Sequence, residues 1–173
     1  MACTALPLQA KAVCSCLPKP RSKAKTWLSA KKEAKTLGLD VFFGIEYRYE
    51  IYDFLVLGID KEFLLSNPDI FDIHVSEFSD RVHKYGGIII QAHPFRYLKG
   101  HELKIFVPYV DAIEIYNGSH VCTTTPYPPF YNDLAEAFAK EMNIIGTAGS
   151  DNHDVRKDTN TPLRIASMLF EEK

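Results

Sequence analysis

The sequence predicts an α/β domain whose strands are mostly parallel. Short apolar stretches of strand type alternate with stretches of helical period along most of the chain. This alternation is typical of sheets whose crossover connections are helices. The length of 173 residues suits one domain with a sizeable core, and 46% hydrophobic against 24% charged residues is ordinary for a globular protein.

The first half of the domain is predicted to contain two helices and three strands. The first helix covers 29–37 and stops at Gly38, and the second begins near Asp72 or Ser76 and ends at Gly86 and Gly87. Strands are predicted at 41–46, at 54–59 and at 88–92. The stretch 47–52 is expected to pair with the strand at 54–59.

The second half continues the alternation with strands at 111–116 and at the start of 143–153. A Pro- and Thr-rich loop at 119–129 precedes a helix in which apolar residues recur at helical spacing. We expect this stripe to pack in the core; its members are Phe130, Leu134, Ala137, Phe138 and Met142. Residues 164–170 are predicted to form a last strand or a short helix.

The distribution of charge separates a leader from the domain. Residues 1–32 hold seven Lys or Arg and no acid, whereas 33–173 hold 13 basic and 22 acidic residues, a net charge of −9. We interpret 1–26 as a basic, disordered leader, with an organelle transit peptide as the alternative, and 27–173 as the domain. The four cysteines lack common metal or redox spacing, which favours free thiols in a reducing cytoplasm; they are Cys3, Cys14, Cys16 and Cys122.

Potential metal ligands follow four consecutive predicted strands. The strand ends carry Glu46, then His93, then Asn117, and finally Asp151 and His153. Chemistry in α/β folds collects at the carboxyl ends of strands, so we expect these side chains to converge. Carboxylate and imidazole ligands together suit zinc, manganese or iron.

Three of these positions have further chemical implications. Glu46 has a carboxylate long enough to bridge two cations about 4 Å apart. Pro94 is expected to hold the backbone of His93 extended. Arg96 follows three residues later, and its planar guanidinium suits a pair of phosphate oxygens.

Each position also has a structural interpretation. Glu46 could be the solvent-facing residue of an alternating strand, and Asn117 with Gly118 is a turn signature. Glu114 could point into a barrel or to a salt bridge. The other histidines have no partner at ligand spacing and are expected at the surface; they are His74, His83, His101 and His120.

As an ordered set, these pieces resemble the PHP superfamily, the polymerase-and-histidinol-phosphatase metal hydrolases. The matching segments lie within about residues 28 to 155 and are Phe43-Gly44-Ile45-Glu46, Gln91-Ala92-His93-Pro94-Phe95-Arg96, Asp111-Ala112-Ile113-Glu114-Ile115-Tyr116-Asn117 and Thr147-Ala148-Gly149-Ser150-Asp151-Asn152-His153. The resemblance implies a distorted (β/α)7 TIM-like barrel with two or three divalent metal ions at the carboxyl ends of its strands.

The resemblance also implies roles for single residues. Glu46 would bridge two metal ions, His93 would bind one of them, and Asp151 and His153 would serve different ions of the cluster. Arg96 would contact phosphate, and Asn117 would line the pocket.

The sequence departs from the family at its start. Family members begin with a His-x-His strand and an Asp-His strand, but the first histidine here is His74. We therefore expect a partial barrel whose first strands are missing or replaced, with fewer or more weakly bound metal ions. Its open edges would favour self-association.

The leading functional hypothesis is a metal-dependent phosphoesterase that acts on a phosphorylated small molecule or nucleotide. Truncation at the amino terminus could impair its activity. A non-catalytic remnant or binding module is the alternative, and a metal-free small-molecule pocket is a weaker third. A net charge of −2 gives no sign of a nucleic-acid partner, although the family leaves one open, and no apolar run approaches a membrane span.

Overall fold

The fold is a mixed α/β arrangement around one six-stranded sheet, as seen in a computed structural model. The structure describes residues 11–16, 24–38, 40–96, 103–121, 128 and 130–151, with the backbone alone for 11–16 and 24–30. The predicted element at 164–170 lies outside these residues.

The elements alternate along the chain as the sequence predicts. The strands are β1 (Lys11–Cys16), β2 (Asp40–Tyr49), β3 (Tyr52–Leu57), β4 (Ile88–Gln91), β5 (Ala112–Asn117) and β6 (Ile145–Gly149). The helices are α1 (Ala24–Leu37), α2 (Lys61–Ser66), α3 (Val75–Tyr85), α4 (Gly118–Val121) and α5 (Phe130–Met142), with a 3₁₀ turn at Val107–Tyr109.

The strands lie in the sheet in the order in which they occur in the chain. The pairs β1–β2, β4–β5 and β5–β6 are parallel, whereas β3 is antiparallel to both β2 and β4. The predicted α/β class is thereby confirmed. The reversal at β3 follows from its connection, since the two residues between β2 and β3 allow a hairpin but no crossover.

The hairpin confirms the predicted pairing of the 47–52 stretch with the following strand. Tyr47 lies opposite Phe54, and Tyr49 lies opposite Tyr52. Glu50 in the turn has φ 55°, the left-handed conformation that tight hairpin turns require. The structure thus extends β2 three residues beyond Glu46, which lies within the strand and not at its end.

The amino-terminal region contains elements that the sequence did not predict. Strand β1 runs parallel to β2, with Lys11 opposite Asp40 and Cys16 opposite Ile45, and α1 begins at Ala24. The β1–α1–β2 succession is a parallel crossover unit. The division of the chain into a leader at 1–26 and a domain at 27–173 stays a prediction.

The core lies between one face of the hairpin and helix α3. Tyr47 stacks on Phe78 with ring centroids 3.8 Å apart, and Phe106 packs edge-on against Phe54 at 5.3 Å. Burial raises the pKa of Tyr47 to about 12, and its hydroxyl donates to the Ile73 carbonyl at 3.1 Å. The buried polar tip is thus satisfied.

The N-cap of helix α3 lies two positions from each of the residues predicted to cap it. The N-cap is His74, whose Nδ1 accepts from the Ser76 backbone N–H at 3.2 Å, so the prediction of Asp72 or Ser76 is wrong. The predicted end is confirmed: Gly86 has φ 93°, and its N–H donates to the His83 carbonyl at 2.9 Å.

The predicted core stripe of α5 is wrong for most of its members, although Phe138 is half-buried and packs edge-on against the buried Phe95. Phe130, Leu134 and Met142 are 52%, 39% and 47% exposed. The buried residues of the helix are Asn132, Ala135 and Ala139. Helix α5 packs against β5 through small side chains, and Asn132 is buried there because it hydrogen-bonds the backbone of Asn117.

No helix among the described ranges is long and apolar enough to cross a membrane.

Replacing Phe78 with alanine is expected to destabilise the fold by about 3–5 kcal/mol, because the ring is fully buried and its loss leaves a cavity under Tyr47. Phe71→Ala is the matched control. Phe71 also neighbours Tyr47, but it is 37% exposed with ring centroids 6.4 Å apart, so about 1 kcal/mol or less is expected. Urea unfolding followed by circular dichroism measures both, and equal losses would contradict this description of the core.

Candidate functional site

Three potential metal ligands meet at the end of the sheet where the carboxyl ends of β2 and β4 lie beside the amino end of β3. Glu46, Asp53 and His93 each offer one ligand atom, and these three atoms lie within 4.8 Å of one another. Asp53 and His93 are buried, with Asp53 Oδ2 3.8 Å from His93 Nε2, whereas Glu46 is half-buried. We call these three residues the carboxylate–histidine cluster.

Asp53 in this cluster was not predicted from the sequence. It is the second residue of β3, and the antiparallel direction of β3 places its amino end beside the carboxyl ends of β2 and β4. A prediction based only on carboxyl ends misses such a residue. The available signal was an acid in the otherwise apolar strand 52–57, next to the hairpin turn.

Arg48 compensates the charge of Asp53 from the neighbouring strand. Its Nε and Nη2 atoms donate to the two carboxylate oxygens at 2.6 and 2.9 Å. The Arg48 side chain is 60% exposed. Each carboxylate oxygen has two lone pairs, so the bidentate contact still leaves acceptor capacity on Asp53 toward His93.

His93 has a backbone conformation opposite to the predicted one. Its φ is 30°, so the prediction that Pro94 holds it extended is wrong. Such a conformation costs free energy and needs support from its surroundings. The His93 N–H donates to Glu114 Oε2 at 2.8 Å, and its carbonyl accepts from the Arg96 N–H at 3.0 Å.

The imidazole of His93 is held neutral near physiological pH. Burial, followed by the nearby positive charge of Arg96, lowers its pKa to about 4. A neutral imidazole is the form that binds metal ions.

Arg96 and Asp151 form the second part of the site. Arg96 Nη2 donates to Asp151 Oδ2 in a short ion pair and to Asn117 Oδ1 at 3.1 Å. Asn117 Nδ2 also lies 3.3 Å from Asp151 Oδ2. Asp151 has φ 46°, and its carbonyl accepts from the Ser119 hydroxyl at 3.0 Å. Although burial opposes it, the hydrogen bond and charge of Arg96 keep the pKa of Asp151 below its usual value.

Glu114 joins the two parts of the site. This buried residue of β5 accepts at Oε2 from the His93 N–H and from Asn117 Nδ2, at 2.8 and 2.9 Å. A Cβ atom at Gly149 on β6 would lie 2.3 Å from Glu114 Oε1, so only glycine leaves room for this carboxylate. Burial raises the pKa of Glu114 to about 7 against the opposing effect of these two hydrogen bonds.

The structure places five of the six predicted site residues. Glu46 and His93 lie in the carboxylate–histidine cluster; Arg96, Asn117 and Asp151 lie in the adjacent polar network. His153 lies outside the described residues. Glu114 is buried, and among the described residues no salt bridge joins it: its hydrogen-bond partners are the Asn117 amide and the His93 N–H. The alternative of a barrel-facing position stays a prediction.

The prediction that His120 lies at the surface is wrong. Its side chain is 2% exposed and lies between Arg96 and Asn132. His74 and His83 are exposed, as predicted, and His101 lies outside the described residues. The short helix α4, which the sequence did not predict, turns His120 inward.

The donor set of the carboxylate–histidine cluster fits a divalent cation. One imidazole and two carboxylates are ligands that zinc, manganese and iron accept. Their mutual distances allow bonds of about 2.0–2.2 Å after small side-chain rotations. The residues present are therefore compatible with a metal ion at this sheet edge.

Replacing Glu114 with glutamine is expected to change how stability depends on pH. Because the pKa of Glu114 rises from 4.5 unfolded to about 7 folded, the folded state binds its proton more tightly. Its contribution to stability is complete below about pH 4.5 and is lost as pH rises through about 7. Glutamine keeps an acceptor for the His93 N–H but does not titrate.

The stability of the variant relative to the wild type should therefore rise by on the order of 3 kcal/mol between pH 4.5 and pH 8. The opposite contribution of His93, lost as pH falls from 6.5 to about 4, is present in both proteins and cancels in the difference. Urea unfolding in EDTA at several pH values measures this, and parallel pH profiles would contradict it.

Two solved structures share this fold at low sequence identity. One, from Bacteroides vulgatus ATCC 8482, is described as a two-domain protein containing a predicted PHP-like metal-dependent phosphoesterase; it has a TM-score of 0.59 and 16% identity over 83% of this chain and 43% of its own. The other, from Bifidobacterium adolescentis ATCC 15703, is provisionally described as a metal-dependent phosphoesterase. It has a TM-score of 0.50 and is 14% identical, over 86% of this chain and 89% of its own.

The chain spans less than half the length of the Bacteroides protein. No protein-family model matches the sequence, and no curated protein matches it. The resemblance to the PHP superfamily that the sequence motifs indicate is confirmed at the level of the fold, which this chain shares with both of these proteins.

Proposed function

We propose that this chain is a metal-dependent phosphoesterase whose described residues supply a cation site and an adjacent phosphate site. The observation that supports this most is the juxtaposition of the carboxylate–histidine cluster with Arg96, within one turn of backbone after His93. A cation and a guanidinium side by side are what a phosphate ester requires for recognition.

In this proposal Glu46, Asp53 and His93 hold the cation. Asp151 extends the site toward a second ion, together with His153 as the family resemblance implies. When bound, such ions supply a hydroxide nucleophile near neutral pH and a Lewis acid for the phosphoryl group. Manganese, zinc and iron all suit these ligands.

Arg96 contacts the phosphate, and Asn117 orients the guanidinium by accepting a hydrogen bond from it. The planar, permanently charged guanidinium is suited to donate to phosphate oxygens. The substrate in this proposal is a phosphorylated small molecule or a nucleotide. The six strands would form part of a distorted (β/α)7 barrel, whose end strands β1 and β6 could pair with a second copy.

The proposal is tested first by hydrolysis of a generic phosphate monoester and diester with Mn²⁺, with Zn²⁺ and with EDTA. We expect turnover that needs the metal and that falls at least about a hundredfold in Asp151→Asn. Equal turnover in EDTA would contradict metal dependence.

Replacing Asp53 with asparagine is expected to weaken Mn²⁺ binding at least about tenfold, because it removes one anionic ligand at constant size. Glu46→Gln should act in the same direction. Asp80→Asn is the matched control, since Asp80 is an exposed carboxylate on α3 away from the cluster. Calorimetric titration measures the three affinities, and an unchanged affinity in Asp53→Asn would remove this residue from the site.

Replacing Arg96 with lysine separates charge from geometry. Lysine keeps the positive charge but loses the planar guanidinium and its fixed orientation, so KM should rise about ten- to a hundredfold, as one charge-assisted hydrogen bond is worth about 1.5–3 kcal/mol. The affinity of the carboxylate–histidine cluster for Mn²⁺ should stay unchanged. A KM equal to that of the wild type would place the phosphate elsewhere.

A non-catalytic binding module is the second candidate function, and two ion pairs favour it. Arg48 already neutralises Asp53, and Arg96 already neutralises Asp151, so both carboxylates have a cationic partner within the protein. Such a module would bind phosphate equally well in EDTA and in Mn²⁺ and would contain less than one metal ion per chain by elemental analysis.

A further inference from the structure

A chain of buried polar groups connects helix α5 to the guanidinium of Arg96. Asn132 on α5 contacts His120 on α4, and His120 contacts Arg96 after β4. His120 and Asn132 are 2% and 8% exposed. Neither residue lies in the carboxylate–histidine cluster, and the proposed phosphoesterase mechanism leaves both without a role.

The orientation of the Asn132 amide is fixed by the backbone of Asn117. The Asn117 N–H donates to Asn132 Oδ1 at 3.0 Å, and Asn132 Nδ2 donates to the Asn117 carbonyl at 3.2 Å. Because a backbone N–H can only donate and a carbonyl can only accept, the amide cannot be reversed. The atom that faces His120 is therefore the oxygen.

This oxygen determines the tautomer of His120. Asn132 Oδ1 lies 2.9 Å from His120 Nδ1, so Nδ1 must carry the proton and donate. Arg96 Nε lies 3.3 Å from His120 Nε2 and is an obligatory donor, so Nε2 must be unprotonated and accept. Both neighbours thus require the same neutral tautomer. The ring is also packed edge-on against Tyr131, with centroids 5.4 Å apart.

The electrostatic surroundings agree with a neutral ring. Burial and the charge of Arg96 lower the pKa of His120, against the opposing hydrogen bond to Asn132.

We infer that His120 and Asn132 are positioning residues that hold the guanidinium of Arg96 in the orientation needed to bind phosphate. This inference rests on the proposed function. Arg96 is fixed at two nitrogens, through Nε by His120 and through Nη2 by Asn117 and Asp151, which sets the plane of the fork. Fixed geometry raises affinity because less side-chain freedom is lost on binding.

Two substitutions of His120 separate its two hydrogen bonds. In His120→Asn the side-chain amide falls near the former Nδ1 atom, so the bond to Asn132 survives and the acceptor for Arg96 is lost. In His120→Gln the amide reaches the former Nε2 position, so an acceptor for Arg96 survives and the bond to Asn132 is lost. His74→Asn is the control, since His74 is an exposed N-cap for which asparagine is well suited.

Calorimetric titration with inorganic phosphate in the presence of Mn²⁺ measures the effect. We expect phosphate to bind about tenfold more weakly to His120→Asn, within about threefold of the wild type to His120→Gln, and unchanged to His74→Asn. Mn²⁺ affinity should be the same in all four proteins. Equal weakening in both His120 variants, or none in His120→Asn, would overturn the positioning role.

Nuclear magnetic resonance provides a readout that needs no phosphate. The Nε–H of Arg96 should exchange slowly with solvent in the wild type and in His120→Gln, and faster in His120→Asn. If this pattern holds while the wild-type protein neither binds phosphate nor hydrolyses its esters, the proposed function fails and the contact stands. If the exchange is equally slow in His120→Asn, the inference itself is overturned.

Discussion

The buried carboxylate of Glu114 is the constraint on which the candidate site depends. One of its oxygens accepts from the His93 backbone and from the Asn117 side chain, and the other lies against Gly149. Three neighbouring strand ends are thereby held in one arrangement. Without this acceptor the positive φ of His93 would lose one of its two hydrogen-bonded supports, and the imidazole would be held less firmly in the cluster with Glu46 and Asp53.

The charges at this edge of the sheet are organised in pairs. Asp53 faces Arg48, and Asp151 faces Arg96, while Glu114 accepts hydrogen bonds from a backbone N–H and an amide. Paired and hydrogen-bonded groups of this kind tolerate burial, whereas isolated charges do not. The arrangement places carboxylate oxygens and guanidinium groups side by side. The carboxylates suit a metal cation and the guanidinium groups suit a phosphate anion, so the two can bind next to each other.

The sequence was sufficient for the fold class, the hairpin, the strands that contain Glu46 and Asn117, and the strand that precedes His93, because hydrophobic period and glycine stops are local signals. It was insufficient where strand direction or helix phase decided the outcome. Asp53 joined the site because β3 is reversed, and His120 was buried because α4 turns it inward. The apolar stripe of α5 faces outward because small residues and Asn132 give closer packing on β5. None of these depends on local pattern alone.

The strands lie in the sheet in the order in which they are synthesised, and this order affects when the site can form on the ribosome. The residues of the carboxylate–histidine cluster all lie in the first 93 positions, so they leave the ribosome together with the hairpin. The carboxylate that supports the His93 backbone arrives only with β5, and the acidic partner of Arg96 only after β6. A nascent chain can thus gather its cation ligands early, but it cannot hold them in their final geometry until β5 and β6 are in place.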